Sequence, residues 1–220
     1  MQRNIVQLRQ LLAERFPHLR LSLDPHSQLA VCPSGLSHLD LALRGGFASS
    51  ALTEIVVDQP AAGSSVLVLS LLRQAALNHQ FVALIDGMDS FDPCPILPAL
   101  LSHLLWVRCR NAEEALKAAD LILRDRNLPL AILDLQMNPL AQLRKIPATV
   151  WYRWQRLVEH NNTTLLVLSP KPIVAGAHAK VFLKTRFDLD AFQKDFAALA
   201  DAISFEIVER PDAERIRASA

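Results

Sequence analysis

Four runs of this chain are apolar along nearly their whole length: residues 51–57 (ALTEIVV), 81–86 (FVALID), 130–135 (LAILDL) and 164–169 (TLLVLS). A strand with one face in water alternates apolar and polar residues. Runs without that alternation are buried on both sides, as in a parallel sheet covered by helices. The segments between them are helical in character. Residues 66–78 form an apolar helix, and residues 95–105 read as another, leading into a short strand at 105–109. Asn111 is a good N-cap for AEEALKAADLIL, with acidic residues in its first turn. Residues 148–160 make a further helix, and 181–189 and 204–209 read as two final strands. The expected fold class is α/β, a mostly parallel sheet with helices on both faces.

A chain of 220 residues with 51% apolar and 20% charged residues is an ordered globular protein of one domain with small appendages. Residues 1–33 hold a helix, 5–16, stopped by Pro17, and a linker with Pro25 and Pro33. Residues 34–210 form the core domain, and 211–220 a tail that either docks on a partner or stays disordered. The longest uncharged apolar run, 64–72, falls short of the roughly 18–20 residues of a membrane span. The N-terminus carries charges throughout, unlike a secretory signal, so the expected location is cytoplasmic. Cys32, Cys94 and Cys109 are odd in number and widely spaced, which fits a reducing compartment and buried thiols. The histidines stand singly, so neither a metal site nor another cofactor is expected. A net charge of +1 argues against tight autonomous binding to nucleic acid.

The turn after ALTEIVV is where such a sheet binds a ligand. A working phosphate loop reads G-x-x-x-x-G-K-[ST]: backbone amides surround the phosphates, lysine neutralises them and the hydroxyl holds Mg²⁺. Aligned on Gly63, this chain reads DQPAAGSS. Gly63 and the hydroxyl of Ser65 are retained. Asp58 replaces the first glycine and brings a negative charge towards the phosphates, and Ser64 replaces the lysine. Asp134, at the end of LAILDL, stands where a carboxylate supports Mg²⁺, although an acid at a strand end also simply meets water or caps a helix.

In order along the chain, SGLSHLDLALRGGFASSALTEI, DQPAAGSS, FVALIDGMDSFDP, LLWVRCRNAEEALKAADLIL, LAILDL, TLLVLS and GAHAKVFLKTRFDL resemble the RecA family over residues 34–189. The resemblance implies a RecA-like fold. It also implies that Met88 stands where the family carries the glutamate that activates water, and that the loop 170–175 is far shorter than the family's DNA-binding loop. Cation, base and DNA loop depart together, so ATP hydrolysis is expected to be lost. Within the family the chain looks most like the ImuA-like (SulA-like) branch, which implies a non-catalytic adaptor in SOS-linked, error-prone translesion synthesis. The partners so implied are RecA, an ImuB-like polymerase-family protein and an error-prone replicative-type polymerase. The alternatives are an ATP-binding RecA- or KaiC-like ATPase and an SOS cell-division inhibitor.

Candidate surfaces follow. Ile5, Leu8, Leu12 and Phe16 form a stripe for self-association or RecA contact, or for packing on the chain's own core. Trp151, Tyr152 and Trp154 have Arg153 and Arg156 among them, a pattern that stacks on bases. The spacing of Val150, Trp151, Trp154, Leu157 and Val158 favours a buried stripe, with Tyr152 and the arginines outward. Lys171, Lys180, Lys184 and Arg186 cluster near the short loop and make, with Arg153 and Arg156, a candidate for weak or indirect DNA contact; for the cluster a solvated face is the default reading.

Overall fold

The computed structural model describes residues 30–59 and 61–209. The stripe Ile5, Leu8, Leu12 and Phe16, Pro60 and the tail 211–220 lie outside the described residues.

Two short strands open the described part, β1 (Val31–Cys32) and β2 (Phe47–Ala48), paired antiparallel with helix α1 (Ser37–Ala42) between them. The main elements then follow as β3 (Leu52–Val56), α2 (Ser64–Leu77), β4 (Val82–Asp86), α3 (Pro98–Leu101) and β5 (Leu104–Arg108). After these come α4 (Ala112–Asp125), β6 (Leu130–Asp134), α5 (Leu140–Leu143), α6 (Ala148–Asn161), β7 (Thr164–Ser169) and β8 (Ala179–Leu183). A 3₁₀ turn (Leu189–Gln193), α7 (Phe196–Asp201) and β9 (Phe205–Glu209) complete them. Strands three to nine make one sheet in the order β5-β4-β6-β7-β3-β8-β9. Every neighbouring pair is parallel except β8 with β9.

The fold is the expected α/β arrangement, and its two faces explain the apolar runs. On one face Leu67, Leu71 and Leu72 of α2 pack on Ile55, Leu84, Ile132 and Val181. On the other, Ala115, Ala119 and Leu123 of α4 and Trp151, Trp154 and Val158 of α6 pack on Ala83, Ile85, Leu133 and Val167. Strand residues alternate between these faces, so neighbours in one strand serve different cores. Asn111 caps α4 as its sequence suggests, accepting the Glu114 N–H at 2.9 Å, while the Glu114 carboxylate reaches back to the Arg110 N–H at 2.9 Å.

Three expectations are corrected. The helix expected over 95–105 shrinks to Pro98–Leu101, because a turn closes from the Ile96 N–H to the Pro93 carbonyl at 3.0 Å, Pro98 keeps Leu97 extended, and β5 begins at Leu104. The strand expected over 181–189 ends at Leu183, because the Phe187 N–H turns to the Ala61 carbonyl at 3.1 Å and Asp188 caps the 3₁₀ turn. Cys94 is exposed, whereas Cys109 is buried and Cys32 half-buried, its thiol pushed up to about 11 by burial and by Asp40. Among the described residues no helix is long and apolar enough to cross a membrane.

Candidate functional site

The turn between β3 and α2 keeps the geometry of a phosphate loop at one residue. Gly63 sits at φ 95°, the left-handed conformation that glycine adopts without a Cβ penalty, and its carbonyl receives the Leu67 N–H at 3.0 Å. Asp58 and Ser65 are exposed and Ser64 half-buried, while Ala62 and Gly63 are buried.

What buries Gly63 comes from the far end of the chain. A Cβ built on it would lie 2.1 Å from Cδ1 of Ile203 and 3.3 Å from Cε2 of Phe187. The loop is also laced to the segment after β8. The Gln59 side-chain amide donates to the carbonyls of Lys184 and Thr185, both at 3.2 Å, and its oxygen accepts from Nε of Arg186 at 2.6 Å. Ile203 is held in turn through its carbonyl, 2.7 Å from Nε2 of His38, whose ring stacks on Phe205. α7 is pinned to α2 by the Arg73 guanidinium, 3.8 Å from the Phe196 ring centroid. The side of Gly63 on which a Cβ would stand is therefore occupied by the protein's own apolar side chains. Gln59, Phe187 and Ile203 carry no motif; their contacts join residues more than 120 positions apart, which no local periodicity reveals.

At the ends of the neighbouring strands, Asp86 and Asp134 stand in register. Asp86 is buried and organises the turn beyond β4: it accepts the N–H groups of Met88, Ser90 and Phe91 and the Trp106 indole N–H, at 2.8–3.3 Å. Met88 points an apolar, part-exposed side chain outward from this turn. Asp89 beside it is held by a two-pronged Arg108 guanidinium at 2.5 and 2.7 Å, which lowers its carboxyl below the ordinary range. Asp134 accepts the Gln136 backbone N–H at 2.9 Å and its side-chain amide at 3.1 Å. Burial pushes the Asp134 carboxyl up to about 6; the Gln136 bonds pull it back, and the Asp86 carboxylate adds to the rise.

That shift has a measurable consequence. An unfolded aspartate titrates near about 3.9. The native state therefore holds the proton more tightly, and ionised Asp134 weakens the fold at neutral pH. Asp134→Asn is expected to raise stability by about 1–2 kcal/mol at pH 7.5, after allowing for partial solvent screening. The gain should shrink as pH falls below about 6 and be gone only below about pH 3, where both states are protonated. Urea denaturation of both proteins across this range checks it. A gain that grows towards acid contradicts the assignment.

The six candidate DNA cations do not form one free patch. Nη2 of Arg153 binds the Asp120 carboxylate at 2.8 Å, beside Arg124. Lys180 turns inward to the fully buried Glu54, which also accepts the Ser169 hydroxyl at 3.0 Å and the N–H groups of Ile173 at 2.6 Å and Val174 at 3.1 Å. Lys184 lies over the Phe182 ring and Arg186 on Gln59. Arg156 and Lys171 are exposed, on α6 and on the β7–β8 connection respectively. Trp151 and Trp154 are buried, and Tyr152 is exposed. Among the described residues no group of three or more His, Cys, Asp or Glu side chains is placed to hold a metal ion.

The sheet order, the turn at Gly63 and the carboxylates at the ends of β4 and β6 define a RecA-like α/β domain. Sequence comparison agrees over about half of the chain. RecA of Clavibacter michiganensis subsp. michiganensis is 29% identical over 119 residues, 53% of this chain and 33% of that protein. RecA of Picosynechococcus is 28% identical over 118 residues, 53% of this chain and 34% of that protein. RecA of a Nocardioides species is 30% identical over 119 residues, with the same two shares. The chain thus spans about a third of the length of these curated relatives. No protein-family model matches it.

Proposed function

We propose that this chain is a RecA-like domain that no longer turns over ATP and acts through protein partners, as an adaptor in SOS-linked, error-prone translesion DNA synthesis. In this reading it joins RecA to polymerase components, an ImuB-like polymerase-family protein and an error-prone replicative-type polymerase. The observation that carries the loss of turnover is the altered phosphate loop. Ile203 and Phe187 occupy the space beside Gly63, and Ser64 stands in the lysine's position. A triphosphate at this loop would find the Asp58 carboxylate and the Ser64 hydroxyl where the motif has a glycine and an ammonium. The missing charge-assisted contact alone is worth about 1.5–3 kcal/mol. Met88 cannot accept a proton from water, and Asp89 beside it is engaged by Arg108.

Titration calorimetry with ATP and Mg²⁺ tests the first half. The expected result is no saturable heat up to about 1 mM nucleotide, which corresponds to less than about 4 kcal/mol of binding, and no release of phosphate. Micromolar binding with turnover would favour an ATPase whose cation comes from elsewhere. Co-purification tests the second half: RecA or polymerase components retained on the chain support the adaptor, and a division protein retained in their place supports an inhibitor.

A further inference from the structure

One groove of about 510 Å³ opens at the sheet's C-terminal end, between the start of α4 and the connection from α5 to α6. That volume is within the usual range for ligand sites. Its apolar lining includes Leu116, Ile146 and Pro147; its polar lining includes Asn111, Gln142 and Lys145. The polar lining is biased in one direction. Asn111 uses its side-chain oxygen to accept the Glu114 N–H at 2.9 Å, and Gln142 uses its own to accept the Ala112 N–H at 3.2 Å. Both amides are therefore left with their NH₂ groups, which only donate. Glu113, the one carboxylate in the lining, is paired with Lys117 at 2.7 Å. Lys145 has no carboxylate partner among the described residues, and Arg110 and Arg144, in the two bordering segments, are exposed. The groove thus presents donors and a free cation around an apolar floor.

We propose that this groove docks a short linear segment of a partner protein in which an apolar side chain is flanked by carboxylates. The apolar side chain fills the floor over Leu116 and Ile146, and a flanking carboxylate meets Lys145 and the amide donors. Charge complementarity selects this occupant: a basic segment would face Lys145 and leave the donors unanswered, and a purely apolar one would desolvate them. The inference rests on the reading of the chain as a protein that works through partners.

The test uses the full chain labelled with ¹⁵N and two synthetic peptides, acetyl-Glu-Leu-Phe-Asp-amide and acetyl-Lys-Leu-Phe-Lys-amide. The acidic peptide is expected to shift the backbone amides of Ala112, Leu116 and Ile146 and the side-chain NH₂ signals of Asn111 and Gln142, with saturation. Lys145→Glu, an exposed change whose folding the same spectrum reports, should weaken that binding about tenfold or more. The basic peptide should be weaker by a similar factor. An absent shift at millimolar acidic peptide, an undiminished response in Lys145→Glu, or an equal response to the basic peptide overturns the proposal. So does 3-phenylpropanoate binding as tightly as the acidic peptide, which would make the groove a small-carboxylate site. Retained capture of RecA by a chain whose groove fails these tests would sink this inference alone and leave the adaptor reading standing.

Discussion

Trp154→Ala is expected to destabilise the domain by about 3–5 kcal/mol, the range for truncating a large aromatic in a packed core. The Trp154 side chain is fully buried and meets Trp151 edge-on, ring centroids 5.4 Å apart and planes at 81°. Both rings fill the face of the sheet that α4 and α6 cover. Trp154 also donates its indole N–H to Asp120 at 3.1 Å, the carboxylate that Arg124 and Arg153 grip from outside. Trp154→Phe separates the two contributions: it keeps most of the volume, and Asp120 retains two cationic partners, so the loss should be about 1–2 kcal/mol. Tyr152→Ala should cost under about 1 kcal/mol, because that residue is 49% exposed. Urea denaturation of the three variants gives the order. A stable Trp154→Ala protein would mean that the aromatic row is a surface and not a core stripe, and would reopen base stacking as its role. A loss of about 3–5 kcal/mol would be a large fraction of the stability of an ordinary domain.

This contrast also shows what the sequence made legible. The rows that depend on local periodicity were readable: α6 displays its apolar stripe every three to four residues, and β4, β6 and β7 lie within a residue of the runs FVALID, LAILDL and TLLVLS. Asn111 could be read as a cap because its chemistry acts within one helical turn. The elements that were missed are those set by distant partners. β8 stops at Leu183 because Phe187 and Gln59 bond across to each other's segments, and nothing within Val181–Asp188 announces that. α7, six residues long, is too short to display a period; an Asp195 cap on the Ala198 N–H and the Arg73–Phe196 contact hold it. At the phosphate loop the altered residues Asp58 and Ser64 were visible, but Ile203 and Phe187, which pack against Gly63, were not. Lys180 shows the same limit. Its charge suggested a surface, and only the sheet order, which brings β8 against β3, places a buried carboxylate opposite it.

Lys180→Met should be at least as damaging, by about 3–5 kcal/mol, because it leaves the Glu54 carboxylate without its counter-charge. The asymmetry of the pair sharpens the expectation. Glu54 is fully buried in the middle of β3, whereas the Lys180 side chain keeps 27% of its surface exposed. Removing the lysine leaves a carboxylate that water cannot reach. Glu54→Gln instead frees an ammonium that can swing out to solvent, while the new amide oxygen still accepts from Ile173 and Val174, so that change should cost less. The double variant Glu54→Gln, Lys180→Met removes both charges together and should be more stable than Lys180→Met alone, a coupling that a double-mutant cycle reads directly. The pair also fixes the connection from β7 to β8: Glu54 holds the N–H groups of Ile173 and Val174, and Lys180 holds the Val174 carbonyl at 3.0 Å. Hydrogen exchange at those two amides should therefore quicken in Lys180→Met before the sheet itself opens. If Lys180→Met were neutral and the exchange unchanged, the counter-charge would not be what holds this connection.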